Sequence, residues 1–365
     1  MRNFRIAIVI PNLCEGGAER VAVNLANSFV KRGYLVDIIL MSAVGQFIDD
    51  LLPDVHVVDL KVNRMRGLLV PLIQYLRNNR PNSLLANMWP ITSFAMLACK
   101  LAMVDTRLVV VEHTTWSRSE ICRLRYKRWQ VSTLMHLTFK FVDGVVAVSQ
   151  SAADDLARFA NLKRDNITVI YNPIVDLHRV MAVDLLPQIL GWSGSSKLVL
   201  SVGKLKAEKD YETLLKAFAL LLLHLDAKLL ILGEGECRAA LELKAQQLGI
   251  ENDIFMPGSV KDVVPFYQQA DLFVLSSVTE GLPTVVIEAL AVGLPVVSTD
   301  CLSGPREILS DGKYGELVPV GDVKALASAM LNSMNKKHNR IALMERAKDF
   351  SIDKAVDKYV DILLG

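Results

Sequence analysis

The sequence predicts an α/β protein built from two doubly wound domains. Its 365 residues are enough for two cores, 52% of them are hydrophobic, and short β-prone runs alternate with segments of helical periodicity. Such alternation is typical of parallel sheets with helices on both faces. Strands are predicted at Ile6–Ile10, Val36–Met41, Val55–Leu60, Leu108–Glu112, Gly144–Val148 and Ile167–Tyr171, and then at Lys197–Gly203, Lys228–Leu232, Asp253–Met256, Leu272–Leu275 and Pro295–Ser298.

The two series of strands are separated by a predicted linker at Asn172–Val175, where proline disfavours helix at the residue before it. This assigns residues 1–172 to a first domain and residues 173–349 to a second. The last segment, 350–365, has helical periodicity. Ligands of open α/β sheets bind beyond the carboxyl ends of the strands, so we expect the site in a cleft between two facing domains.

Composition excludes several classes of protein. The net charge is only +2 and no nucleic-acid-binding motif accompanies it, so no nucleic acid partner is expected. The five cysteines are scattered without a C-x-x-C pair, which predicts neither a disulfide framework nor a zinc site and favours a reducing cytoplasm. The apolar windows Leu84–Val104 and Leu214–Leu232 are interrupted by proline or charged residues, so each predicts a helix and a buried strand rather than a membrane span.

Charge is distributed unevenly along the chain. Residues 1–175 carry 21 basic and 14 acidic side chains, whereas the remainder carries 20 and 25. Part of the basic excess is interleaved with apolar residues, a mixture that suits either an anionic membrane surface or a solvated helix face. The basic residues are Arg118, Arg123, Arg125, Lys127 and Arg128, and the apolar ones are Trp116, Ile121, Leu124, Tyr126 and Trp129.

Two glutamates offer the best indication of chemistry. Glu280 lies in a predicted loop and Glu288 in the helix that follows it; Pro283 suits the first helical turn and Gly293 the stop. Unpaired N–H groups at Leu282–Val285 could hold a phosphate, while the carboxylates suit hydroxyls on either side. A nucleotide-sugar, with sugars on both sides of a diphosphate, fits this pattern. A solvated glutamate pair beside an ordinary helix start is the alternative.

Glu280 and Glu288, with seven residues between them that include Gly281-Leu282-Pro283-Thr284, resemble the two-glutamate signature of retaining glycosyltransferases of family 4. The resemblance implies the GT-B fold, in which two Rossmann-like domains face each other across a cleft and a C-terminal helix crosses back to the first domain. It places the acceptor on the first domain and the nucleotide-sugar on the second. Glu288 would accept hydrogen bonds from ribose hydroxyls and Glu280 from the donor sugar, with the four intervening residues at the donor.

A glycine loop follows the first predicted strand. Gly16 and Gly17 open a helix without forming G-x-G-x-x-G, and the chain contains no G-x-x-x-x-G-K-[ST], which argues against NAD and ATP enzymes. A double glycine can be just a tight turn. The resemblance implies instead that Gly16 and Gly17 lie beside the donor diphosphate or the acceptor.

His113 follows a strand that ends at Glu112 and so should face the ligand edge of the first sheet. A lone histidine is often structural. The resemblance implies that His113 contacts the transferred sugar. It need not act as a general base, because retention in this family is commonly explained by front-side attack aided by the leaving phosphate.

Two lysines follow the first strand of the second domain. Lys204 and Lys209, after Gly203, could stabilise the negative charge that grows on the departing diphosphate. The family usually has arginine and lysine here, so Lys204 keeps the charge but loses a bidentate fork. A solvated charge run is the alternative.

Further loops resemble weaker family motifs. Glu234 and Val260 follow later strands and resemble the nucleoside-side loops, in which backbone groups near Val260 would pair with the base. Arg306 and Glu307 are interpreted as structural. No D-x-D motif ends a strand, so neither a divalent metal nor another cofactor is expected, and lysines and helix dipoles would take the place of a metal at the diphosphate.

The sequence therefore predicts a cytoplasmic, metal-independent, retaining glycosyltransferase, peripheral on the inner face of the membrane. It would move a hexose or N-acetylhexosamine from a UDP-sugar to a lipid-linked glycan, as in bacterial O-antigen, lipopolysaccharide or exopolysaccharide assembly. Two alternatives stay open: a nucleotide-sugar epimerase or hydrolase of the same architecture, and a non-catalytic scaffold partner.

Overall fold

A parallel β-sheet organises each half of the chain. The computed structural model describes residues 4–14, 16–114, 116–118, 125–173, 186–260 and 262–365. The chain divides into two units: unit 1 comprises Met1–Val175 and Ser351–Gly365, and unit 2 comprises Asp176–Phe350. The predicted linker residues Ile174 and Val175 lie outside the described residues.

Unit 1 has a seven-stranded parallel sheet in the order β3-β2-β1-β4-β5-β6-β7. Most of its strands are buried on both faces and therefore read as continuous apolar runs, whereas β3 and β7 at the two edges are partly exposed. The strands are β1 (Arg5–Ile10), β2 (Leu35–Leu40), β3 (Val55–Asp59), β4 (Ser83–Asn87), β5 (Arg107–Glu112), β6 (Gly144–Ala147) and β7 (Ile167–Val169). The helices are α1 (Gly17–Lys31), α2 (Leu69–Asn79), α3 (Ile91–Ala102), α4 (Arg125–Phe139) and α5 (Gln150–Phe159).

Unit 2 has a six-stranded parallel sheet in the order β10-β9-β8-β11-β12-β13. The strands are β8 (Lys197–Val202), β9 (Ala227–Leu232), β10 (Ile254–Gly258), β11 (Leu272–Leu275), β12 (Val296–Thr299) and β13 (Glu316–Val318). The helices are α6 (Leu186–Ser193), α7 (Tyr211–Leu221), α8 (Arg238–Leu248), α9 (Val264–Gln269), α10 (Thr284–Ala291), α11 (Pro305–Ile308), α12 (Val323–Asn335) and α13 (Arg340–Ala347).

The predicted strands are confirmed, and most of their ends agree with the observed ends to within one or two residues. The window Leu84–Val104 does split, into β4 and α3, and Leu214–Leu232 contains the end of α7 and the whole of β9. The three-residue strand β13 was not predicted. No helix in the described part of the chain is long and apolar enough to span a bilayer.

The C-terminal helix α14 (Ile352–Leu364) packs on the sheet of unit 1, as predicted. Ser83 Oγ donates to the carbonyl oxygen of Leu363 at 2.6 Å, and Arg107 Nε donates to the carbonyl oxygen of Ile362 at 2.8 Å. Tyr359 is almost fully buried. The end of the chain is thus fixed to β4 and β5, which it joins from more than 250 residues away in sequence.

A buried ion pair lies at the start of the unit 1 sheet. Arg5 Nη1 contacts both carboxylate oxygens of Asp37, at 3.0 and 2.8 Å, and the Tyr75 hydroxyl donates to the same carboxylate. Asp37 is only 1% exposed. Burial and the neighbouring carboxylate raise the pKa of Tyr75, so its hydroxyl stays protonated and remains a donor. This network ties β1, β2 and α2 together, at the end of the sheet opposite the ligand edge.

Most of the basic segment lies outside the described residues, namely 119–124 together with the side chains of Arg118 and 125–127. Two of its aromatic residues are described. Trp129 is exposed, whereas Trp116 is buried, with its ring stacked on Phe159. The prediction that Trp116 belongs to a surface-facing mixture was wrong, because the aromatic ring packs into the core of unit 1 instead.

Each sheet reverses its strand order at one point. In unit 1 the reversal lies between β1 and β4, and in unit 2 between β8 and β11. The loops that leave two such strands go to opposite faces of the sheet and leave a crevice at the carboxyl ends, where doubly wound sheets bind ligands. The residues of interest in unit 2 follow β8 and β11.

Candidate active site

An ion pair occupies the crevice of unit 2. Lys209, from the loop after β8, places its Nζ 2.6 Å from Glu280 Oε1, from the loop after β11. Ser277 Oγ donates to the same carboxylate oxygen at 2.6 Å. The Lys209 and Glu280 side chains are 24% and 11% exposed. The sheet topology therefore brings two predicted site residues together that are 71 positions apart in sequence.

Hydrogen bonds to backbone carbonyl oxygens fix the two loops. Ser276 Oγ donates to the carbonyl oxygen of Lys209 at 2.7 Å, and the Val278 amide donates to the carbonyl oxygen of Glu208 at 2.8 Å. Thr299 Oγ1 donates to the carbonyl oxygen of Ser277 at 2.6 Å. Because these contacts hold the backbone on both sides of the ion pair, the pair is built before any ligand arrives.

Helix α10 begins immediately after the glutamate loop. Pro283 is the N-cap and Thr284 the first helical residue, so the prediction that Pro283 lies in the first turn was wrong by one position. Proline has no side-chain acceptor, so the side chain of the N-cap residue makes no hydrogen bond to the helix start. The first N–H groups of α10 and its dipole are directed beyond the helix start, where an anion would be stabilised.

The loop after β12 packs against this helix start. Gly304 has φ +92, and a Cβ there would lie 2.4 Å from Pro283 Cδ. Ser303 Oγ donates to the carbonyl oxygen of Gly281 at 2.7 Å. Any larger residue at Gly304 would therefore displace Gly281 to Pro283, the segment that sets the direction of α10.

Glu288 lies one turn inside α10 and has a buried partner. The Tyr267 hydroxyl, from α9, donates to Glu288 Oε2 at 3.0 Å. Tyr267 is 1% exposed, and burial followed by the charge of Glu288 raises its pKa well above the usual value. The phenol thus remains a donor at any physiological pH and fixes the orientation of the carboxylate. Sequence reasoning missed Tyr267, because nothing in an apolar helix signals this contact.

The loop after β8 also positions Lys204. Within the described part of the chain, its ammonium makes no hydrogen bond or ion pair, in contrast to Lys209. Gly233, at the end of β9, approaches this loop so closely that a Cβ would lie 2.0 Å from the carbonyl oxygen of Gly203. The Tyr211 hydroxyl donates to that same oxygen at 3.0 Å.

Glu234 does not stand alone at its loop. Arg238 contacts both oxygens of its carboxylate, and Arg238 Nη1 donates to the carbonyl oxygen of Met256 at 3.0 Å. The contacts with Arg238 lower the pKa of Glu234. The ion pair thus joins the loop after β9 to strand β10, whereas the backbone contact of Val260 with a base stays a prediction.

In unit 1, His113 follows β5 and contacts Asn87 at the end of β4. His113 Nε2 lies 3.2 Å from Asn87 Oδ1. His113 Nδ1 is buried and has no hydrogen-bond partner among the described residues. Burial lowers the pKa of His113 to about 4, so the ring is neutral at pH 7. A neutral imidazole with an unpaired nitrogen is suited to hydrogen bonding with a ligand.

Glu112 is directed to other partners. Its carboxyl group receives the Trp89 amide and Thr92 Oγ1, both at 3.4 Å, at the start of α3. Burial raises the pKa of Glu112 to about 8, so this acid is mostly protonated at pH 7. Sequence reasoning treated Glu112 only as the end of a strand.

Gly16 and Gly17 lie at the start of α1, with Gly16 as the N-cap. A Cβ at Gly17 would meet no atom within 4 Å, so the space beside this backbone is open. Arg306 contacts Asp300 and Asp311. Among the described residues, no group of three or more His, Cys, Asp or Glu side chains converges as metal ligands do.

Two protein-family models match consecutive parts of the chain. Glycosyltransferase Family 4 matches residues 15–177, and Glycosyl transferases group 1 matches residues 183–350. The lipopolysaccharide core biosynthesis glycosyltransferase LpsE of Rhizobium meliloti is 30% identical over 361 residues, which cover 96% of each chain. The chain belongs to glycosyltransferase family 4.

A second relative of this family 4 glycosyltransferase comes from Campylobacter jejuni. It is named GalNAc-alpha-(1->4)-GalNAc-alpha-(1->3)-diNAcBac-PP-undecaprenol alpha-1,4-N-acetyl-D-galactosaminyltransferase. It is 28% identical to this chain over 380 residues. The alignment covers 99% of this chain and 98% of the relative. Among solved structures, Anabaena HepE in complex with UDP and glucose aligns with a TM-score of 0.83 and 21% identity over 99% of both chains.

The likeness to HepE and the two parallel sheets confirm the predicted GT-B fold of this family 4 enzyme. The structure brings Lys209 together with Glu280, and places Glu288 on the helix that follows. The roles of these residues toward donor and acceptor stay predictions, as do those of Gly16, Gly17 and His113.

Proposed function

We propose that this family 4 glycosyltransferase is a retaining, metal-independent enzyme that moves a hexose or N-acetylhexosamine from a UDP-sugar to a lipid-linked glycan. The observation that carries the proposal is the Lys209–Glu280 ion pair at the strand reversal of unit 2, directly before the start of α10. A cation, a carboxylate and a helix N-terminus together suit a ligand that carries both phosphate and hydroxyl groups.

The diphosphate would be held by positive charge. Lys204 and Lys209 follow β8, and the first N–H groups of α10 donate no hydrogen bond to the side chain of the N-cap Pro283. These groups stabilise the charge that develops on the departing UDP, which is the main electrostatic task of the reaction. They also supply the positive charge that a divalent metal provides in other transferases.

The two glutamates would bind the sugars on either side of the diphosphate. Glu288, oriented by Tyr267, accepts hydrogen bonds from ribose hydroxyls, and Glu280 accepts them from the transferred sugar. In a front-side reaction the bond between the anomeric carbon and the phosphate oxygen breaks, and the acceptor oxygen bonds to the same face. The acceptor proton passes to the departing phosphate oxygen, so no protein base is required.

The relatives support the choice of donor and acceptor. HepE was solved with UDP and glucose, and the Campylobacter jejuni relative is named for a sugar chain on undecaprenol diphosphate. The Rhizobium meliloti relative is named for lipopolysaccharide core biosynthesis. A lipid-linked acceptor would place this enzyme at the inner face of the cytoplasmic membrane, without a need for a spanning helix.

An exposed apolar surface on α3 and α4 supports that peripheral contact. Ser93 Oγ and Thr138 Oγ1 join the two helices at 2.9 Å, and Lys100 Nζ lies 3.5 Å from the centroid of the Phe141 ring. Large apolar side chains around this junction are exposed to solvent. Together they form a patch that we call the α3–α4 surface. They are Leu97, Leu101, Leu134, Leu137 and Phe141, each between 40% and 56% exposed.

The charge around the α3–α4 surface suits an anionic bilayer. Among the described side chains, Lys100 on α3, Arg128 on α4 and Lys140 just after α4 are exposed and basic. Lys100 and Lys140 adjoin Phe141 in space or in sequence. Apolar side chains that enter the headgroup layer, with basic side chains at their rim, bind anionic membranes by both effects.

Vesicle flotation tests the membrane contact. The wild-type protein should float with phosphatidylglycerol vesicles and less with phosphatidylcholine vesicles, and Leu137→Ser/Phe141→Ser should weaken flotation about tenfold. Ile341→Ser is the matched control, because Ile341 is equally apolar and 72% exposed, but lies on α13 of unit 2. Equal flotation of wild type and the double variant would reject this surface.

Mass spectrometry tests the transferase reaction. The protein is incubated with a panel of UDP-sugars and an undecaprenyl-diphosphate-linked glycan extract, with and without EDTA. A hexose or N-acetylhexosamine increment on the lipid that persists in EDTA supports donor class, acceptor class and metal independence. Free or epimerised sugar without a glycoside would favour a hydrolase or epimerase, and UDP binding without any product would favour a non-catalytic partner.

A further inference from the structure

The amide of Asn87 joins the strands on either side of it. Asn87 ends β4, which lies between β1 and β5 in the sheet of unit 1. Its Nδ2 donates to the carbonyl oxygen of Val9 on β1, at 3.5 Å, and its Oδ1 lies 3.2 Å from His113 Nε2, just after β5. The side chain is 2% exposed, so water does not compete for either contact.

The orientation of this amide determines the tautomer of His113. An amide oxygen can only accept a hydrogen bond, so the ring nitrogen that faces it must carry the proton. In a neutral imidazole the other nitrogen then has a free lone pair. That nitrogen is His113 Nδ1, which is buried and has no partner among the described residues.

The neighbourhood keeps the ring neutral. The lowered pKa of His113 has burial as its cause. Glu112, the preceding residue, contacts the Trp89 amide and Thr92. At pH 7 the ring is therefore an acceptor at Nδ1 and a donor only at Nε2, where Asn87 already uses the proton.

We propose that Asn87 is a positioning residue that holds His113 as the Nε2–H tautomer, so that Nδ1 accepts a hydrogen bond from a hydroxyl group of the bound sugar substrate. The identity of the hydroxyl rests on the proposed function, but the tautomer does not. A substrate that replaces this hydroxyl with fluorine or a carbonyl offers only an acceptor. It leaves Nδ1 buried and unpaired, which sites of this kind reject strongly.

Nitrogen NMR on the free protein tests the tautomer directly. Long-range proton–nitrogen spectra distinguish the two neutral tautomers and the cation of each histidine. Because the chain has six histidines, the signals of His113 must be assigned. His113→Gln assigns the resonance. We expect the wild-type ring to show the neutral Nε2–H pattern from pH 5.5 to pH 8. A neutral Nδ1–H pattern, or a cation at pH 7, would overturn the proposal.

Two variants of Asn87 extend the test. In Asn87→Asp a carboxylate would face Nε2 and favour the cation, so we expect the cation pattern of His113 to appear at a pH at least one unit higher than in wild type. Asn87→Leu keeps the approximate size but removes the acceptor, and should give a mixture of both neutral tautomers. A His113 pattern that is unchanged in both folded variants would reject the role of Asn87.

Kinetics with the donor that the transfer assay identifies supply a second readout. Asn87→Asp should lose about tenfold or more in kcat/KM at the pH where His113 is cationic and recover as the pH rises above the midpoint seen by NMR. Asn87→Leu should lose activity at every pH. A uniform loss in Asn87→Asp, unrelated to the NMR midpoint, would indicate a structural effect only and would contradict the proposal. If no transfer is found with any donor, the NMR result still stands on its own.

Discussion

Lys209 Nζ lies 2.6 Å from Glu280 Oε1, so the cation proposed for the donor diphosphate is already paired with the carboxylate proposed for the donor sugar. Ser277 holds the same carboxylate oxygen. The pair spans the strand reversal of unit 2, where two loops from opposite faces of the sheet meet. Pairing masks a negative charge that would otherwise repel the diphosphate.

This masking leads to a prediction about Lys209. Lys209→Ala removes one positive charge and also exposes the diphosphate to an unpaired Glu280, so we expect UDP to bind about 100-fold more weakly, roughly 3 kcal/mol. In Lys209→Ala/Glu280→Gln the repulsion is gone, and about tenfold of the affinity should return. Calorimetric titration with UDP measures both. A double variant that binds no better than Lys209→Ala would contradict the masking role.

Lys204 should act on the diphosphate alone. Its ammonium has no partner within the described residues, so Lys204→Ala should leave the fold intact and weaken UDP binding about tenfold. Uridine, which lacks the diphosphate, should bind both proteins equally. Lys216→Ala, which removes a surface ion pair with Glu212, is the control. Equal loss of UDP and uridine affinity would place Lys204 elsewhere.

Tyr267 should contribute to nucleotide binding through Glu288. Tyr267→Phe removes the 3.0 Å hydrogen bond that orients the carboxylate, and we expect UDP to bind about tenfold more weakly, roughly the worth of a hydrogen bond to a charged group. Tyr359→Phe is the matched control, because Tyr359 is equally buried but lies on α14 of unit 1. Unchanged UDP affinity in Tyr267→Phe would show that Glu288 does not depend on this contact.

Glu112 should make folding stability fall as pH rises. The pKa of this carboxyl is 4.5 as its ordinary value and about 8 in the folded protein, so between these values the folded state binds more protons than the unfolded state. Stability then decreases by up to about 1.4 kcal/mol per pH unit across that window. Glu112→Gln has no proton to lose.

The difference in stability between Glu112→Gln and wild type should therefore move in favour of the variant from pH 5 to pH 8. Denaturant unfolding at several pH values measures it. His113 has the opposite effect, because its lowered pKa makes the folded state more stable as the pH rises from about 4 toward 6.5. His113 is present in both proteins, so this effect cancels in the comparison. A constant difference at every pH would contradict the raised pKa.

The sequence predicted the sheets well because parallel strands buried on both faces read as continuous apolar runs. It predicted a strand and a helix in the window Leu84–Val104 without giving the bounds of β4, and it missed β13, which has only three residues. The start of α10 was predicted too early because proline favours the first helical turn, whereas Pro283 lies at the N-cap position, one residue before the helix. Side chains of most of the basic segment lie outside the described residues.

The site was predictable only in part. Lys209 and Glu280 stand beside strand ends, so their position at the ligand edge follows from topology. Topology does not predict that these two side chains pair directly, and it does not predict the partners of the other site residues. Tyr267 reaches Glu288 from 21 positions away and Asn87 reaches His113 from 26, through packing that local patterns of residues do not encode. The burial that makes His113 neutral is likewise a property of the folded unit.

The most direct test of the central claim, that unit 2 holds a UDP-sugar with Glu288 on the nucleotide and Glu280 on the transferred sugar, compares Glu288→Ala with Glu280→Ala. Calorimetric titration with UDP is measured beside the rate of sugar transfer. We expect Glu288→Ala to weaken UDP binding about tenfold or more, whereas Glu280→Ala should bind UDP no more weakly than wild type but transfer sugar at least 100-fold more slowly. Negligible effects of both variants in both assays would contradict it.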